Sequence, residues 1–492
     1  LQSNNFHLCN SFMTRLLRYP FTCSALLQAP PFPPSLARTA ASQQGGSFKR
    51  MSRANSLQQQ SSSPESSAGG SPVNRIFQRY ARQKKMSETC RKWKTLPSAV
   101  RRDPDDVQFT LMSYNMLAQD LLEMHEDLYD QHDQVTLSWP HRYDRLLAEI
   151  NLVRPDILCL QEMQDNHKDQ FSSGLANFRY EMIFKKRTGE KTDGCAIYYR
   201  RDMFELVDYH DVEYYQPSVK RLDRENVAII AKFRVKSNPS QCLVVATTHL
   251  LYNPRRQDIR LAQVQVLLAE LDRLAFLSRM ENGTPRYAPT ILCGDFNLQP
   301  YTAPYVLLTT GFLQYENLST NTLEPIPGGS SFGKVLLPKK LGITDDCRHE
   351  THLDRMEEEE EKSTRLHHSS KEPKARTPSP DEEQNSPYFN QGALKHRFKF
   401  TSAYRHNIGD ETQEATTFQG QWITVDYLFY TKFQCTNENR LTENNLKLIA
   451  TYALPTVKQA REIYTIPNMY FGSDHFALAG RFLLKAHKEP SL

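Results

Sequence analysis

From Asp106 onward, apolar and polar positions alternate in short strand-like runs, separated by longer runs with helical spacing. Val107, Phe109, Leu111 and Ser113 occupy every second position, which predicts a half-buried strand ending at Tyr114-Asn115. Leu146, Leu147 and Ile150 share one face of a helix predicted over 143–153. Pro155 ends it, because a proline ring disfavours helical backbone in the residue before it. Asp156 to Gln161 reads as the next buried strand, and further strands are predicted at 195–199, 227–233, 242–247, 289–294, 423–430 and 476–483. Leu261, Val264, Leu267, Leu268 and Leu271 trace an amphipathic helix between two of them. Strands alternate with helices, but several sequential strands have no helix between them. That order predicts an α/β fold of two stacked mixed β-sheets flanked by helices, a four-layer sandwich.

Composition changes the picture at the ends and at one interior stretch. Residues 1 to about 73 are rich in Ser, Gln, Pro and Gly and hold too little apolar surface to offset ordering entropy. From Asn74 to Lys94, eight Lys/Arg interleave with Ile76, Phe77, Tyr80, Met86 and Trp93. This segment reads as a solvated linker helix, or as a short helix able to touch phosphates and stack bases. The expected organisation is a disordered basic tail over 1–105, a folded domain over 106–485 and a short tail over 486–492. An acidic insertion from 345 to about 395 interrupts the domain, with 13 acidic and 7 basic groups between 345 and 384. The net charge of +5 belongs to the front of the chain, since residues 1–104 carry 16 Lys/Arg against 3 Asp/Glu.

None of the nine cysteines stands in a C-x-x-C arrangement, which argues against a thiolate zinc site and a disulfide framework. Cys159, Cys195, Cys242 and Cys293 lie in apolar runs and are expected to pack as small hydrophobes in a reducing compartment. The expected location is cytoplasm and/or nucleus. The mitochondrion is the alternative, because the first 64 residues contain six Lys/Arg and no Asp or Glu. No apolar run approaches the ~18 residues needed to cross a bilayer, so no membrane partner is expected. Asn282-Gly283-Thr284 and Asn317-Leu318-Ser319 are taken as chance matches to the glycosylation pattern.

The chemistry-bearing residues sit just beyond predicted strands, where side chains leave a sheet edge and can converge. They are Ser113-Tyr114-Asn115, Gln161-Glu162, Thr248-His249, Gly294-Asp295-Phe296-Asn297 and Ser473-Asp474-His475, with Thr424-Val425-Asp426 before the last. Phosphodiester hydrolysis needs a hard cation against phosphoryl oxygens, a base for water and donors aimed at developing charge. Glu162 is the best ligand for such a cation, because magnesium prefers oxygen and takes one or two protein carboxylates. Each motif alone is weak: Glu162 could cap a turn, Asp295 could start an Asx turn, His249 could be structural and Asp426 could open a strand.

In this order the motifs resemble the endonuclease/exonuclease/phosphatase superfamily over roughly residues 106–485. The runs Thr248 to Gln263, Asp223 to Val227 and Arg187 to Cys195 resemble its Angel branch, kin of poly(A) deadenylases and nocturnin. The resemblance implies that Glu162 coordinates Mg²⁺, with Mn²⁺ as a substitute, and that Asn115 supports it. It implies that Asp295 orients or deprotonates water, that Asn297 and His475 donate to the phosphate, and that Asp474 stands beside His475 or the metal. His249 and Asn226 resemble additional phosphate-contacting positions, and Asp426 would tune a histidine or a second metal. Asn253, Pro254 and Arg256 would line the substrate path, with Arg255 and Arg260 near flanking phosphates.

In deadenylase relatives Pro254 would form one wall of an adenine slot and an aromatic five residues before Asp426 the other. That position is Gln421, with Trp422 displaced by one and so expected on the opposite strand face. The Angel branch is associated with removing 2′,3′-cyclic phosphate from RNA 3′ ends, which is the first expected activity. A 3′ exoribonuclease of deadenylase type and a non-catalytic RNA–protein adaptor are the alternatives. Partners implied are RNA 3′ ends, and proteins that meet the basic tail or the acidic insertion. The sequence does not determine the oligomeric state.

Overall fold

The computed structural model describes residues 72–97, 103–279, 285–325, 331–352, 388–398, 400–406, 412–432 and 446–486. Two mixed sheets organise them. The first contains β1 (Trp93–Thr95), β2 (Val107–Asn115), β3 (Ile157–Gln164), β4 (Tyr180–Lys186) and β5 (Asp193–Arg200), joined by the late strands β12 (Leu446–Tyr452) and β13 (Leu478–Leu484). Its order is β1-β12-β13-β2-β3-β5-β4. The second contains β6 (Phe204–Glu213), β7 (Val227–Val235), β8 (Asn238–His249), β9 (Thr290–Asp295), β10 (Phe400–Ser402) and β11 (Asp426–Thr431). Its order is β10-β11-β9-β8-β7-β6.

Each sheet holds one parallel pair, β2 with β3 and β8 with β9, and the other neighbours are antiparallel. A parallel pair needs a crossover. Helices α2 (Trp139–Val153) and α3 (Gln257–Ala275) supply these. The parallel strands of each sheet therefore end at one edge, where the antiparallel neighbours β11 and β13 begin. Residues after β2, β3, β8 and β9 and before β11 and β13 are gathered there, the arrangement that α/β folds use for ligand sites.

Between the sheets, Phe109, Ile157 and Cys195 of the first meet Ile229, Val245, Cys293 and Leu428 of the second in one buried cluster. Cys159, Cys195 and Cys293 are fully buried free thiols and Cys242 is half-buried. The outer face of the first sheet is covered as well, because Met112, Tyr114, Leu158 and Leu160 pack with Leu146, Ile150 and Val153 of α2. The last five residues of β2 are accordingly buried on both faces, where the alternation predicted a half-buried strand.

Four further expectations are corrected. α3 is buried nearly all round, including Gln263 and Gln265, because residues 343–348 cover the side away from the sheet. Gln265 Nε2 donates to Thr344 O at 3.0 Å and Arg348 Nε to Asp272 Oδ2 at 3.1 Å. The insertion therefore does not begin at 345 or extend to 395. Asp345 ties the two sides together, accepting from Gln391 N at 2.7 Å while its carbonyl accepts from Lys395 N at 2.9 Å. The rest of the insertion, 353–387, lies outside the described residues.

The basic tail likewise does not extend to 105. α1 (Pro72–Cys90) buries Gln83, which donates to Ile463 O at 3.1 Å, and β1 pairs with β12 at Trp93–Tyr452. Arg91 is buried, ion-paired to Glu149 at 2.8 Å and donating to the carbonyls of Ala453 and Ala477. Tyr80, Gln83, Met86 and Cys90 fall at helical spacing, which accounts for the packed face. Residues 1–71 lie outside the described residues. Finally, the strand expected over 423–430 is two pieces. Trp422–Ile423 pairs in a hairpin with Thr417–Phe418, and only Asp426 onward enters the sheet.

Candidate active site

Asp295 closes β9, and the strand register sets it opposite His249 of β8 on one side and Asp426 of β11 on the other. Residues directly opposite point to the same face, so these three side chains share one side of the sheet edge. Gly294 makes the approach possible: its φ is +136° and an added Cβ would lie 2.0 Å from Thr248 O. On the facing sheet, β3 carries a bulge between Leu160 and Met163 where it pairs with β5. Glu162 sits in this bulge with φ 55°, and the extra residue turns its side chain out of the strand's alternation.

The carboxylates meet through Asn115, whose Nδ2 donates to Glu162 Oε1 at 2.9 Å and to Asp295 Oδ2 at 3.0 Å. Ala118 N donates to Glu162 Oε2 at 3.0 Å. His475 Nδ1 pairs with Asp426 Oδ2 at 2.8 Å, and its Nε2 lies 3.8 Å from Asp295 Oδ2. His249 Nε2 is 3.6 Å from the same oxygen, and its buried Nδ1 has no hydrogen-bond partner among the described residues. Asn297 N donates to Asp295 Oδ1 at 2.9 Å, and its Nδ2 to Leu250 O at 3.0 Å.

Burial and mutual repulsion make this cluster electrostatically costly. Burial, then the Asp426 charge, push the Asp295 carboxyl up to about 8. Burial and the Asp474 charge raise Glu162. Burial alone would lower the His475 imidazole, but Asp426, Asp474 and Asp295 together outweigh it and hold the ring well above its ordinary value. Burial, with Arg187 nearby, lowers His249 to about 4, so it is neutral at pH 7. Like charges set opposite one another across a sheet are unfavourable unless a cation joins them.

The donor set fits such a cation. Ligand atoms of Glu162, His249 and Asp295 lie within 4.8 Å of one another, as do those of Asp295, Asp426 and His475. Asp295 belongs to both groups, and neither contains a cysteine sulfur. Oxygen with imidazole suits a hard or borderline divalent ion.

Not every expected residue reaches this cluster with a free group. Asn226 is held inside the protein, donating to His249 O at 3.1 Å and accepting from Gln263 Nε2 at 3.1 Å. Arg256 is held by Asp258 through bonds of 2.8 and 2.9 Å, and Asn253 Oδ1 accepts from Arg255 N in a local turn. Asn226 and Arg256, expected to contact substrate, also shape the loop after β8 through these bonds. Pro254 is exposed, and Asp474 is half-buried, accepting from Tyr129 at 3.0 Å. Trp422 is buried against Phe476, with ring centroids 5.7 Å apart, while Gln421 is exposed. The offset by one residue turned the ring inward, as the strand period requires.

Sequence reasoning missed several residues. Arg142 is fully buried, donating to Gly472 O at 2.8 Å, Gln119 Oε1 at 2.7 Å, Met116 O at 2.6 Å and Leu117 O, so it locks the loops after β2 and before His475. Arg260, expected near flanking phosphates, is fully buried and locks the loop after β8 through the carbonyls of residues 251–254. Both arginines lie in line with the leucines of their helices, a charge on the buried stripe that could have flagged them. Tyr129 had no signal, because its partner Asp474 is 345 residues away. Phe418 was overlooked by counting a fixed offset from Asp426; it is 48% exposed, next to Thr417, which bridges to His475. Among the described residues no helix is long and apolar enough to cross a membrane.

Comparison with known proteins agrees with this geometry. The model of the endonuclease/exonuclease/phosphatase family matches residues 112–475. Protein angel homolog 2 of Danio rerio is 34% identical over 414 residues, covering 81% of this chain and 68% of the relative. Protein angel homolog 1 of Homo sapiens is 33% identical over 433 residues, covering 77% of this chain and 63% of the relative. The chain thus spans about two thirds of the length of these relatives. The crystal structure of ANGEL2, a 2′,3′-cyclic phosphatase, in complex with adenosine-2′,3′-vanadate is 32% identical, with a TM-score of 0.63 over 80% of this chain and 98% of that one. The cluster around Asp295 and these matches agree, and the chain belongs to the endonuclease/exonuclease/phosphatase family, in its angel branch.

Proposed function

We propose that this chain is a divalent-metal-dependent phosphoesterase that hydrolyses 2′,3′-cyclic phosphate at RNA 3′ ends, with Mg²⁺ as its cation and Mn²⁺ able to replace it. The observation that carries the reading is Asp295 shared between two groups of ligand atoms, with Glu162 on one side and the His475–Asp426 pair on the other. The ANGEL2 structure, described as a 2′,3′-cyclic phosphatase, supports the substrate class.

Glu162, Asp295 and the neutral His249 imidazole would hold the cation, which when bound supplies charge neutralisation at the phosphoryl oxygens. Asn115 keeps Glu162 and Asp295 at a fixed separation by donating to both. Asp295 orients the attacking water and takes its proton as the new P–O bond forms. His475, held cationic by Asp426, donates from Nε2 toward phosphate oxygen. The bond from phosphorus to one ribose oxygen breaks, that oxygen takes a proton, and the product is a ribose monophosphate. A second attack by water on that monoester would release inorganic phosphate and leave the 2′,3′-diol.

The test incubates purified protein and Mg²⁺ with RNAs ending in cyclic phosphate on each of the four nucleotides, and separately with an oligo(A) tail. Loss of the terminal phosphate at constant chain length is expected, with rates for the four ends within about tenfold of one another, one ~1.4 kcal/mol step. A ladder of shortened oligo(A) with the cyclic end untouched would replace the proposal with a 3′ exoribonuclease.

A further inference from the structure

The loop that leaves β8 carries an aromatic side chain that the phosphoryl chemistry does not use. Tyr252 stands three residues after His249 and is 57% exposed. Among the described residues its ring has no aromatic partner and its hydroxyl no hydrogen bond. Its backbone, by contrast, is firmly held. Arg260 donates to the carbonyls of Leu251 at 2.8 Å, Tyr252 at 3.3 Å, Asn253 at 2.8 Å and Pro254 at 3.1 Å. Gln263 Oε1 accepts from Leu251 N at 3.0 Å, and Asn297 Nδ2 donates to Leu250 O at 3.0 Å. Leu250 N donates to the backbone carbonyl of Asp295 at 2.9 Å, so the loop is tied to the strand end that bears the central carboxylate.

The loop that carries the ring leaves the sheet edge where His249 and Asp295 stand side by side. After burial, the charges that act on its phenol are Asp474, from the segment before β13, and Asp295, at the end of β9, so it stands near residues of both sheets. An aromatic side chain on backbone already fixed loses little freedom on binding.

We propose that Tyr252 is a stacking platform for the base of the terminal nucleotide, placing the cyclic phosphate over the Asp295 cluster. The proposal rests on the cyclic-phosphate reading above. Because every base has a π face, stacking tolerates any terminal base. It therefore strengthens binding without selecting sequence.

The experiment compares wild type, Tyr252→Ala and Tyr252→Phe on RNAs ending in a cyclic phosphate on each of the four nucleotides, and on one whose terminal nucleotide is abasic. Tyr252→Ala should raise KM by about tenfold on every base-bearing end while kcat changes much less, as expected for one stacked base. Tyr252→Phe should stay near wild type. Wild type should lose the same factor when the terminal base is removed, and the two losses should not add. An unchanged KM in Tyr252→Ala, an equal loss in Tyr252→Phe, or an undiminished Ala penalty on the abasic end would each overturn the platform.

Equilibrium binding of the same RNAs without added metal separates the two proposals. A Tyr252-dependent preference for base-bearing ends with no turnover of any cyclic phosphate would sink the cyclic-phosphatase reading alone. Turnover without that dependence would sink the platform alone.

Discussion

Replacing Asp426 with asparagine should separate activity from stability. The His475 Nδ1–Asp426 Oδ2 bond of 2.8 Å survives in kind, because an amide oxygen can still accept, but the opposing charge is lost. A hydrogen bond to a charged group contributes about 1.5–3 kcal/mol against about 0.5–1.5 kcal/mol for a neutral one. The difference of about 1–1.5 kcal/mol corresponds to about tenfold in rate. With the two side chains only 7% and 5% exposed, solvent screens little and tenfold is a lower bound. Asp295 meanwhile loses the like charge that, after burial, holds its carboxyl up near 8. The metal-free variant loses the charged pairing of His475 and gains relief at Asp295, so its melting should change little while kcat falls. The imidazolium should also lose its proton at lower pH, moving the alkaline limb of the rate profile downward. Steady-state kcat on a cyclic-phosphate RNA from neutral to alkaline pH, with melting in EDTA, tests all three. A kcat within roughly twofold of wild type and an unmoved alkaline limb would refute the role given to the pair.

Chelation should abolish turnover and Mg²⁺ or Mn²⁺ restore it; full turnover in excess EDTA would end the metal assignment. Glu162→Gln and His475→Ala should each lower kcat by roughly a hundredfold or more with little change in melting, since both act on developing charge at an edge rather than in the core. Metal-free stability should fall as pH rises from 6.5 to about 8. Both Asp295, held near 8, and His475, raised well above 6.5, keep their protons better folded than unfolded there, whereas His249, lowered to about 4, opposes this only below 6.5. A flat melting profile across that window in EDTA would contradict the charge cluster. Truncation through residue 100 should lower melting by at least about 5 °C, because losing Arg91 leaves buried Glu149 unpaired at a cost of about 3–5 kcal/mol. Truncation ending at Ser71 spares those contacts, and equal melting of the two would show that α1 and β1 are dispensable.

Local pattern alone determined much of this protein. Leu146 and Ile150 at helical spacing placed α2, and the apolar runs placed the central strands, because both periods are properties of a few consecutive residues. Acids, amides and histidines just beyond apolar runs marked Asn115, Glu162, His249, Asp295 and His475 before any contact was known, since a strand end is visible in one dimension. The one-residue displacement of Trp422 was enough to turn its ring inward.

What covers a second face, and what partner a side chain finds, are facts of packing between segments far apart in sequence. α3 looked amphipathic until residues 343–348 closed over it, and α1 looked solvated until Arg91 met Glu149, 58 positions on. The resemblance pointed to Asn226 and the loop position to Arg256 as substrate contacts. Their bonds to the His249 carbonyl and to Asp258 show only in the fold. The bulge at Glu162 and the register that sets Asp295 between His249 and Asp426 exist only once the sheets form. One added residue in a strand or one shift of register would re-aim each of those side chains, and no local pattern reports it.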